Sequence, residues 1–144
     1  MLRIRISAEG VQLGRCTLRA NPTLNDVIEA LGVSNRVLEK QDGARCLYIY
    51  DELGVSFLAE VSSGAVYWIM LTLENPQWRP KTESDPSSLF AGEIQIGNTK
   101  LGAPVEAQFA ELLNEIRIRN FGTSFTVNGT FASKFCVSFS LNET

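Results

Sequence analysis

The sequence contains no histidine. This absence excludes Ser-His-Asp and Cys-His nucleophilic sites and zinc sites with histidine ligands, and it removes the commonest general base. Carboxylate, lysine or tyrosine chemistry stays open, but no stretch of the chain groups such residues in a recognisable catalytic pattern. We therefore expect a protein that is not an enzyme and that holds no metal or other cofactor.

Cysteine is scarce, and long apolar runs are absent. Cys16, Cys46 and Cys136 lie far apart, form no C-x-x-C pair and are odd in number, so they are a poor basis for disulfides. Their apolar surroundings predict buried free thiols in a reducing cytosol. The N-terminus lacks the apolar run of a signal peptide, and no segment approaches 18 apolar residues. The sequence therefore predicts a cytoplasmic protein without a membrane partner.

Excess positive charge is also missing. The formal net charge is -3 and the pI is near 5.0, whereas phosphate binding requires clustered Lys and Arg. The aromatic side chains at positions 48, 50, 57, 67 and 68 have the spacing of a base-stacking platform, but the basic residues that would surround such a platform are absent. We expect these aromatics to form core or cross-strand pairs and expect no nucleic-acid partner.

The stretch from Cys46 to Leu73 organises the rest of the chain. β-branched and aromatic residues fill three runs, at 48–50, 55–59 and 66–73, and Gly, Ser and Asp separate them. This pattern predicts an antiparallel meander whose last strand is central. Asp51 and Glu52 would point to opposite faces of a strand, so the pair is predicted to be a polar turn and not a catalytic dyad.

The N-terminal stretch predicts a hairpin followed by a helix. Leu2, Ile4 and Ile6 alternate with polar residues, and a second strand returns after Gly10. An apolar stripe over residues 24–31 predicts a helix that ends at Gly32. Two caps are open: Asn21 with Pro22 at the first position, or Thr23 with Asp26 three residues later. The polar stretch 33–45 has room for one more helical turn around Val37 and Leu38.

The segment 75–88 contains three prolines and several small polar residues, so it is predicted to be a connection. Its length suggests either a linker or a functional loop. Trp78 and Arg79 stand out within it. Either Trp78 folds back to cover a sheet edge, or the two residues form an exposed anchor for a partner, since both types dominate interface hot spots.

The second half of the chain repeats the pattern of the first. Residues 93–102 run from two alternating isoleucines through a glycine-containing turn to Leu-Gly, as residues 3–14 do. A second helix follows, with Pro104 near its first position and an apolar stripe at Val105, Phe109, Leu112, Leu113 and Ile116. Asn128-Gly129 then predicts a two-residue hairpin turn, and the alternation over 135–141 predicts a half-buried final strand.

These signals together predict an α+β fold made of two ββα-meander repeats. Its antiparallel sheet or sheets would carry one main helix per repeat, packed on one face. The predicted divisions are a first repeat at 1–74, a proline-rich connection at 75–89 and a second repeat at 90–144. We expect the two repeats to form one compact globule, because each is small for an independent domain.

Two motifs resemble those of small bacterial domains. The string YIYDELGVSF, after a capped helix that ends at Gly32, resembles a Tyr-x-Tyr-Asp-x-Leu-Gly-aromatic core followed by a strand. Phe90-Ala91-Gly92-Glu93-Ile94-Gln95-Ile96 resembles a Phe-x-Gly-x-Ile/Leu-x-Ile motif that opens a second half. Domains with this pattern are similar to the immunity partners encoded beside polymorphic toxins of bacterial secretion systems. The resemblance implies a cytoplasmic protein that binds and inhibits one cognate toxin or effector.

Two functions are open at this point. The first is the toxin-binding inhibitor, and the alternative is a non-enzymatic small-ligand or structural binding module that uses a cleft between the repeats. For the inhibitor, an aromatic side chain, a forked cation and several carboxylates would face a basic partner. The predicted partner-binding residues are Trp78, Arg79, Asp51, Glu52, Glu83 and Asp85.

Overall fold

The computed structural model describes residues 2–7, 10–18, 21–75, 80–96, 99–100, 128–132 and 136–140. Within these residues the chain forms eleven strands and one α-helix, with a short 3-10 turn at Gln41–Gly43. In chain order they are β1 Arg3–Ser7, β2 Gly10–Leu13, β3 Cys16–Leu18, α1 Leu24–Leu31, β4 Arg36–Lys40, β5 Arg45–Tyr50, β6 Val55–Glu60, β7 Val66–Thr72, β8 Glu93–Ile96, β9 Thr99–Lys100, β10 Asn128–Ala132 and β11 Cys136–Ser140.

The strands form two sheets, which confirms a mixed α+β fold. The five-stranded sheet has the order β3-β2-β1-β8-β9, and the six-stranded sheet has the order β10-β11-β7-β6-β5-β4. Neighbouring strands are antiparallel except for β1 and β8, which run parallel. Each sheet contains strands from both halves of the chain.

The predicted meander is present as β5, β6 and β7. Tyr50 pairs with Val55 across the first turn, and β7 lies between β6 and β11, so its predicted central position is confirmed. The side chains of β6 and β7 alternate between the two faces of the sheet. Because nearly all of them are buried, both faces are covered at this point.

Helix α1 begins at Thr23, which confirms the second of the two predicted caps. The backbone N–H of Thr23 donates to the Asp26 carboxylate at 2.9 Å, and the Thr23 hydroxyl donates to the same oxygen. The helix ends at Gly32, whose φ of 82° suits glycine. Val27, in the middle of the apolar stripe, is fully buried in the core.

The helical turn predicted around Val37 and Leu38 is wrong, because this stretch is strand β4. Leu38 pairs with Leu47 of β5, and Lys40 pairs with Arg45. The alternation of partly buried and exposed residues along β4 has the period of a strand. A neighbouring strand with matching leucines outweighs the weak local preference of a polar sequence for a helical turn.

The two-repeat arrangement with one helix per repeat is not supported. Both predicted hairpins form, as β1–β2 and β8–β9. However, they share one sheet, with β1 and β8 adjacent and parallel and with Ile4 opposite Ile94 on the core face. Strand β2 lies on one side of the β1–β8 pair, and β9 lies on the other side. To superpose one hairpin on the other, it would have to be turned over, which would expose the face that is buried. The two hairpins are therefore not equivalent units. The helix predicted over 104–116 lies outside the described residues.

The hairpin turn predicted at Asn128-Gly129 is also wrong. Both residues lie within β10, where Asn128 pairs with Ser140 of β11. An irregularity in the pairing follows between Asn128 and Phe131, and a glycine within a strand often marks such a site. The predicted closing strand exists as β11, and the residues before Asn128 in the predicted hairpin lie outside the described residues.

The main core fills the space between the two sheets. It combines Ile4, Val11 and Leu13 of the five-stranded sheet with Val27 of α1 and with the facing residues of the six-stranded sheet. The largest fully buried side chain is Phe57 of β6. On the opposite face of the six-stranded sheet lies a smaller apolar cluster, formed by Leu47, Ile49, Leu58 and Tyr67 with Leu38 and Trp68 packed against it.

The three cysteines form no disulfide, but they are not buried as predicted. Cys16, Cys46 and Cys136 are each only partly buried. Cys16 lies on an edge strand, where its thiol approaches the carbonyl oxygen of Glu29. An apolar sequence context did not place these thiols in the core, although Cys46 and Cys136 lie on strands β5 and β11, which have a neighbour on both sides.

Partial exposure changes the expected thiol chemistry. We expect a maleimide reagent to label each single-cysteine variant of the native protein, more slowly than the urea-unfolded chain, because the thiol is shielded in part. Mass spectrometry over time measures both rates. Complete protection of all three until unfolding would contradict the partial exposure.

Candidate functional site

The predicted partner-binding residues fall on neighbouring segments. Asp51 and Glu52 form the turn between β5 and β6, and Glu83 and Asp85 lie in the returning segment 80–90. Trp78 and Arg79 lie outside the described residues. We call the Asp51–Gly54 turn, the start of β4 and the segment 80–90 the junction, because hydrogen bonds tie all three together.

Asp51 is the centre of the junction. Its carboxylate accepts two hydrogen bonds from the Arg36 guanidinium, at 2.8 and 2.9 Å, in the forked geometry that favours strong pairing. The backbone N–H and the hydroxyl of Ser87 donate to the same carboxylate. The Asp51 backbone takes part too, since its N–H donates to the Asn35 side chain and its carbonyl accepts from Ser88.

Arg36 extends this network across the returning segment. Its remaining N–H groups donate to the carbonyl oxygens of Glu83 and Asp85, at 2.7 and 3.1 Å. Four residues further along β4, the Lys40 ammonium donates to the Ser84 hydroxyl at 2.9 Å. Strand β4 therefore fixes the segment at three successive residues.

Asp85 shapes the same segment from within. Its carboxylate accepts from the backbone N–H of Thr82 at 2.8 Å and from the Thr82 hydroxyl. Pro86, the next residue, is buried. The Asp51 and Asp85 carboxylates thus have partners within the chain, whereas Glu52 and Glu83 are exposed and present carboxylates to solvent.

The charge on Asp51 is strongly stabilised. The hydrogen bonds from Arg36, followed by those from Ser87, lower the pKa of Asp51 from 3.8 to about 2, against the opposing effect of partial burial. The same pairing with Asp51 raises the pKa of Arg36. Both groups therefore remain charged at every pH at which the protein is expected to work.

Close backbone packing completes the junction. Gly54 has a φ of 68° and packs so tightly against Leu89 and Phe90 that a side chain there would overlap their backbone atoms. The N–H of Thr72 donates to the carbonyl of Gly54, and the N–H of Phe90 donates to the carbonyl of Thr72. The two motifs singled out in the sequence, around residues 48–57 and 90–96, therefore meet at one place.

Sequence reasoning missed Arg36. It lies in the polar stretch 33–45, which was interpreted as a connection with room for a helical turn. The available signal was the alternation along Arg36–Lys40, which places Arg36, Leu38 and Lys40 on one side of a strand. No local pattern pairs Arg36 with Asp51, because the contact depends on the pairing of β4 with β5.

The aromatic residues form pairs within the sheet, as predicted. Tyr48 and Phe57 are cross-strand neighbours with parallel rings 4.7 Å apart, and Tyr50 lies next to Phe57. Burial raises the pKa of Tyr50 to about 12, and its hydroxyl donates to the carbonyl of Gly32. This hydrogen bond joins the end of α1 to the six-stranded sheet.

A second polar cluster lies at the opposite end of the six-stranded sheet. The Glu60 carboxylate accepts hydrogen bonds from Tyr67, Ser62 and Ser63, and these bonds lower the pKa of Glu60. The Arg45 guanidinium lies over the Tyr67 ring, 4.0 Å from its centre. The cluster closes the β6–β7 turn and shares no residue with the junction.

Two structural features are absent from the residues that the structure describes. No group of three or more Cys, Asp or Glu side chains among them is arranged to hold a metal ion. No helix among them is both long enough and apolar enough to cross a membrane.

Comparison with known protein families finds a match over most of the chain. A family model described as a domain of unknown function, DUF7738, matches residues 3–109 of the 144-residue chain. The chain belongs to the DUF7738 family. The DUF7738 match extends from β1 past β9 and includes the whole junction. No curated protein and no solved structure matches the chain.

Proposed function

We propose that the protein is a bacterial immunity protein, which acts in the cytoplasm by binding a cognate secreted toxin or effector and inhibiting it through direct contact. Support comes from the resemblance of the two sequence motifs to those of immunity partners. The observation that carries the proposal furthest is that both motifs build the junction, a surface region locked by Arg36 and Asp51.

A locked surface is well suited to binding. The returning segment has no regular secondary structure, yet Arg36, Lys40 and Asp51 hold it through side-chain hydrogen bonds to residues 83–87. Ordering such a segment before binding lowers the entropic cost of association. The segment therefore presents its exposed groups in one geometry.

The exposed groups favour a basic partner. Glu52 and Glu83 flank the Arg36–Asp51 pair and are open to solvent, and the chain has a net charge of -3. Acidic groups at the rim of an interface accelerate association with a basic protein and disfavour acidic ones. Trp78 and Arg79 precede this segment in the chain and supply the residue types most frequent in hot spots.

The product of the neighbouring reading frame, made as an inactive variant, tests this proposal. We expect it to bind the protein in a stoichiometric complex. We also expect the double variant Trp78→Ala and Arg79→Ala to weaken binding by about 2 kcal/mol or more, the scale of a hot spot, and to leave the melting temperature unchanged. Calorimetric titration and thermal unfolding of the same samples give both values.

The alternative for Trp78 makes the opposite prediction. If Trp78 covers a sheet edge, the double variant melts at a lower temperature and binds with unchanged affinity. Failure of the neighbouring product to bind would contradict the immunity proposal itself. A binding module built on a cleft between repeats has no support from the described residues, because the two hairpins share one sheet.

A further inference from the structure

Strand β4 forms one edge of the six-stranded sheet, and no strand among the described residues pairs with its outer side. Exposure alternates strictly along this part of the chain. The odd positions are exposed, with Val33 at 84% and Val37 at 51%, while the even positions are partly buried. Within β4 the exposed row consists of Val37 and Glu39, and Val33 and Asn35 precede the strand; Gln41 and Asp42 lie in the 3-10 turn that follows it.

The two positively charged side chains of β4 bind the returning segment and do not protect the outer edge of the strand. Edge strands are commonly protected by Lys or Arg side chains, which oppose pairing with another chain. In β4 these residues are Arg36 and Lys40, and both bind the returning segment at the junction. Neither cation belongs to the exposed row, which runs through Val33, Asn35, Val37 and Glu39.

We propose that the outer edge of β4 binds an extended segment of a basic partner protein as an added strand. Backbone hydrogen bonds would supply affinity, and alternate side chains would supply specificity. The inference rests on the proposed function, because the partner would be the cognate toxin. It adds the binding mode and the chemistry of the bound segment.

The exposed row defines the chemistry of that segment. An apolar side chain fits beside Val37, and Lys or Arg fits beside Glu39. A second copy of this chain fits poorly. Antiparallel pairing of two β4 strands about Leu38 would set Arg36 opposite Lys40 of the other copy, and like charges in that position are destabilising.

A synthetic strand peptide tests the edge without the toxin. The probe is a short threonine peptide with one valine and, two positions away, one lysine, which match the spacing of Val37 and Glu39. We expect it to slow hydrogen exchange of β4 backbone amides by roughly tenfold, since added hydrogen bonds protect them. A control peptide with glutamate in place of lysine should leave exchange unchanged. Unchanged exchange in β4 with the lysine peptide would overturn the edge proposal.

Variants test the same edge against the neighbouring gene product. Val37→Lys and Glu39→Lys should each weaken binding by roughly tenfold or more. The matched controls are Thr17→Lys, at an exposed position of β3 in the other sheet, and Glu29→Lys, at an exposed position of α1. These controls change charge equally far from β4 and should bind like the wild type.

The outcomes separate the two proposals. If all four variants bind the product as tightly as the wild type does, the edge proposal is overturned and the proposed function stands. A product that does not bind, together with β4 protection by the lysine peptide, overturns the proposed function and supports the edge. Loss confined to the two β4 variants supports both.

Discussion

Replacing Gly54 with alanine is expected to lower the free energy of unfolding by about 4 kcal/mol or more, in the range of the most damaging single substitutions. Two effects combine at this position. The φ of 68° is unfavourable for a residue with a side chain, and the new methyl group would overlap the backbone of Leu89 and Phe90. Backbone atoms held by the Phe90–Thr72 hydrogen bond have little freedom to move away.

Gly32→Ala is the matched control. Gly32 has a similarly positive φ of 82°, but an added methyl group there would meet nothing within 4 Å. Its ψ of -172° lies in a region that is essentially restricted to glycine, so we expect a loss of about 1–3 kcal/mol from the backbone conformation alone. Urea unfolding of both variants measures the difference. Equal losses would show that the region around Leu89 and Phe90 yields to the methyl group.

Asp51→Asn is expected to lower the free energy of unfolding by about 2 kcal/mol at neutral pH, because the hydrogen bonds that Arg36 and Ser87 donate to a charged acceptor weaken when that acceptor becomes neutral. The substitution keeps the shape of the side chain. It removes the charge that holds Arg36 and, through Arg36, the carbonyl groups of Glu83 and Asp85. Hydrogen exchange should therefore also rise in the segment 82–88.

The effect should depend on pH in a defined direction. The pKa of Asp51 is lowered on folding from 3.8 to about 2, so its stabilisation is complete above the unfolded value and is lost as the pH falls through the folded value. The difference between wild type and Asp51→Asn should therefore shrink over that interval. Glu52→Gln, at the adjacent exposed carboxylate that has no hydrogen-bond partner of its own in this network, is the control, with an expected change near zero at neutral pH. A constant difference for Asp51→Asn would contradict the assignment.

The strands that have strong local patterns were predictable from the sequence. The meander of β5 to β7 and the capped helix α1 depend on residues close together in the chain, such as Thr23 with Asp26. Strand β4 was not predictable in this way, because its polar sequence becomes a strand only through Leu38 and its partner Leu47. The apparent repeat arose because Ile4 and Ile94 occupy equivalent places in one sheet, which produces similar short patterns without two similar units.

The candidate site was predictable only in part. The Asp51–Glu52 stretch was correctly interpreted as a polar turn, and the proline-rich segment was correctly interpreted as a connection. Both were assigned to one binding surface, but no residue was identified that would hold them together. That link is Arg36, whose role follows from strand pairing and has no sequence signature. As a result, Asp51 and Asp85 were expected to face a partner, whereas their carboxylates bind groups within the chain.

The parallel pairing of β1 with β8 has a consequence for how the molecule is made. Arg3 lies opposite Glu93, so the middle of the five-stranded sheet joins residues about ninety positions apart. Such distant contacts carry a high loop-closure cost and are typical of slowly folding chains. During synthesis from the N-terminus, β1 and β2 emerge early. The side of β1 that pairs with β8 then has no partner strand until residue 96 has left the ribosome. We expect the returning segment fixed by Arg36 to shorten this search, because it leads directly to Gly92, which packs against the backbone of Leu2 where the pairing of β1 with β8 begins.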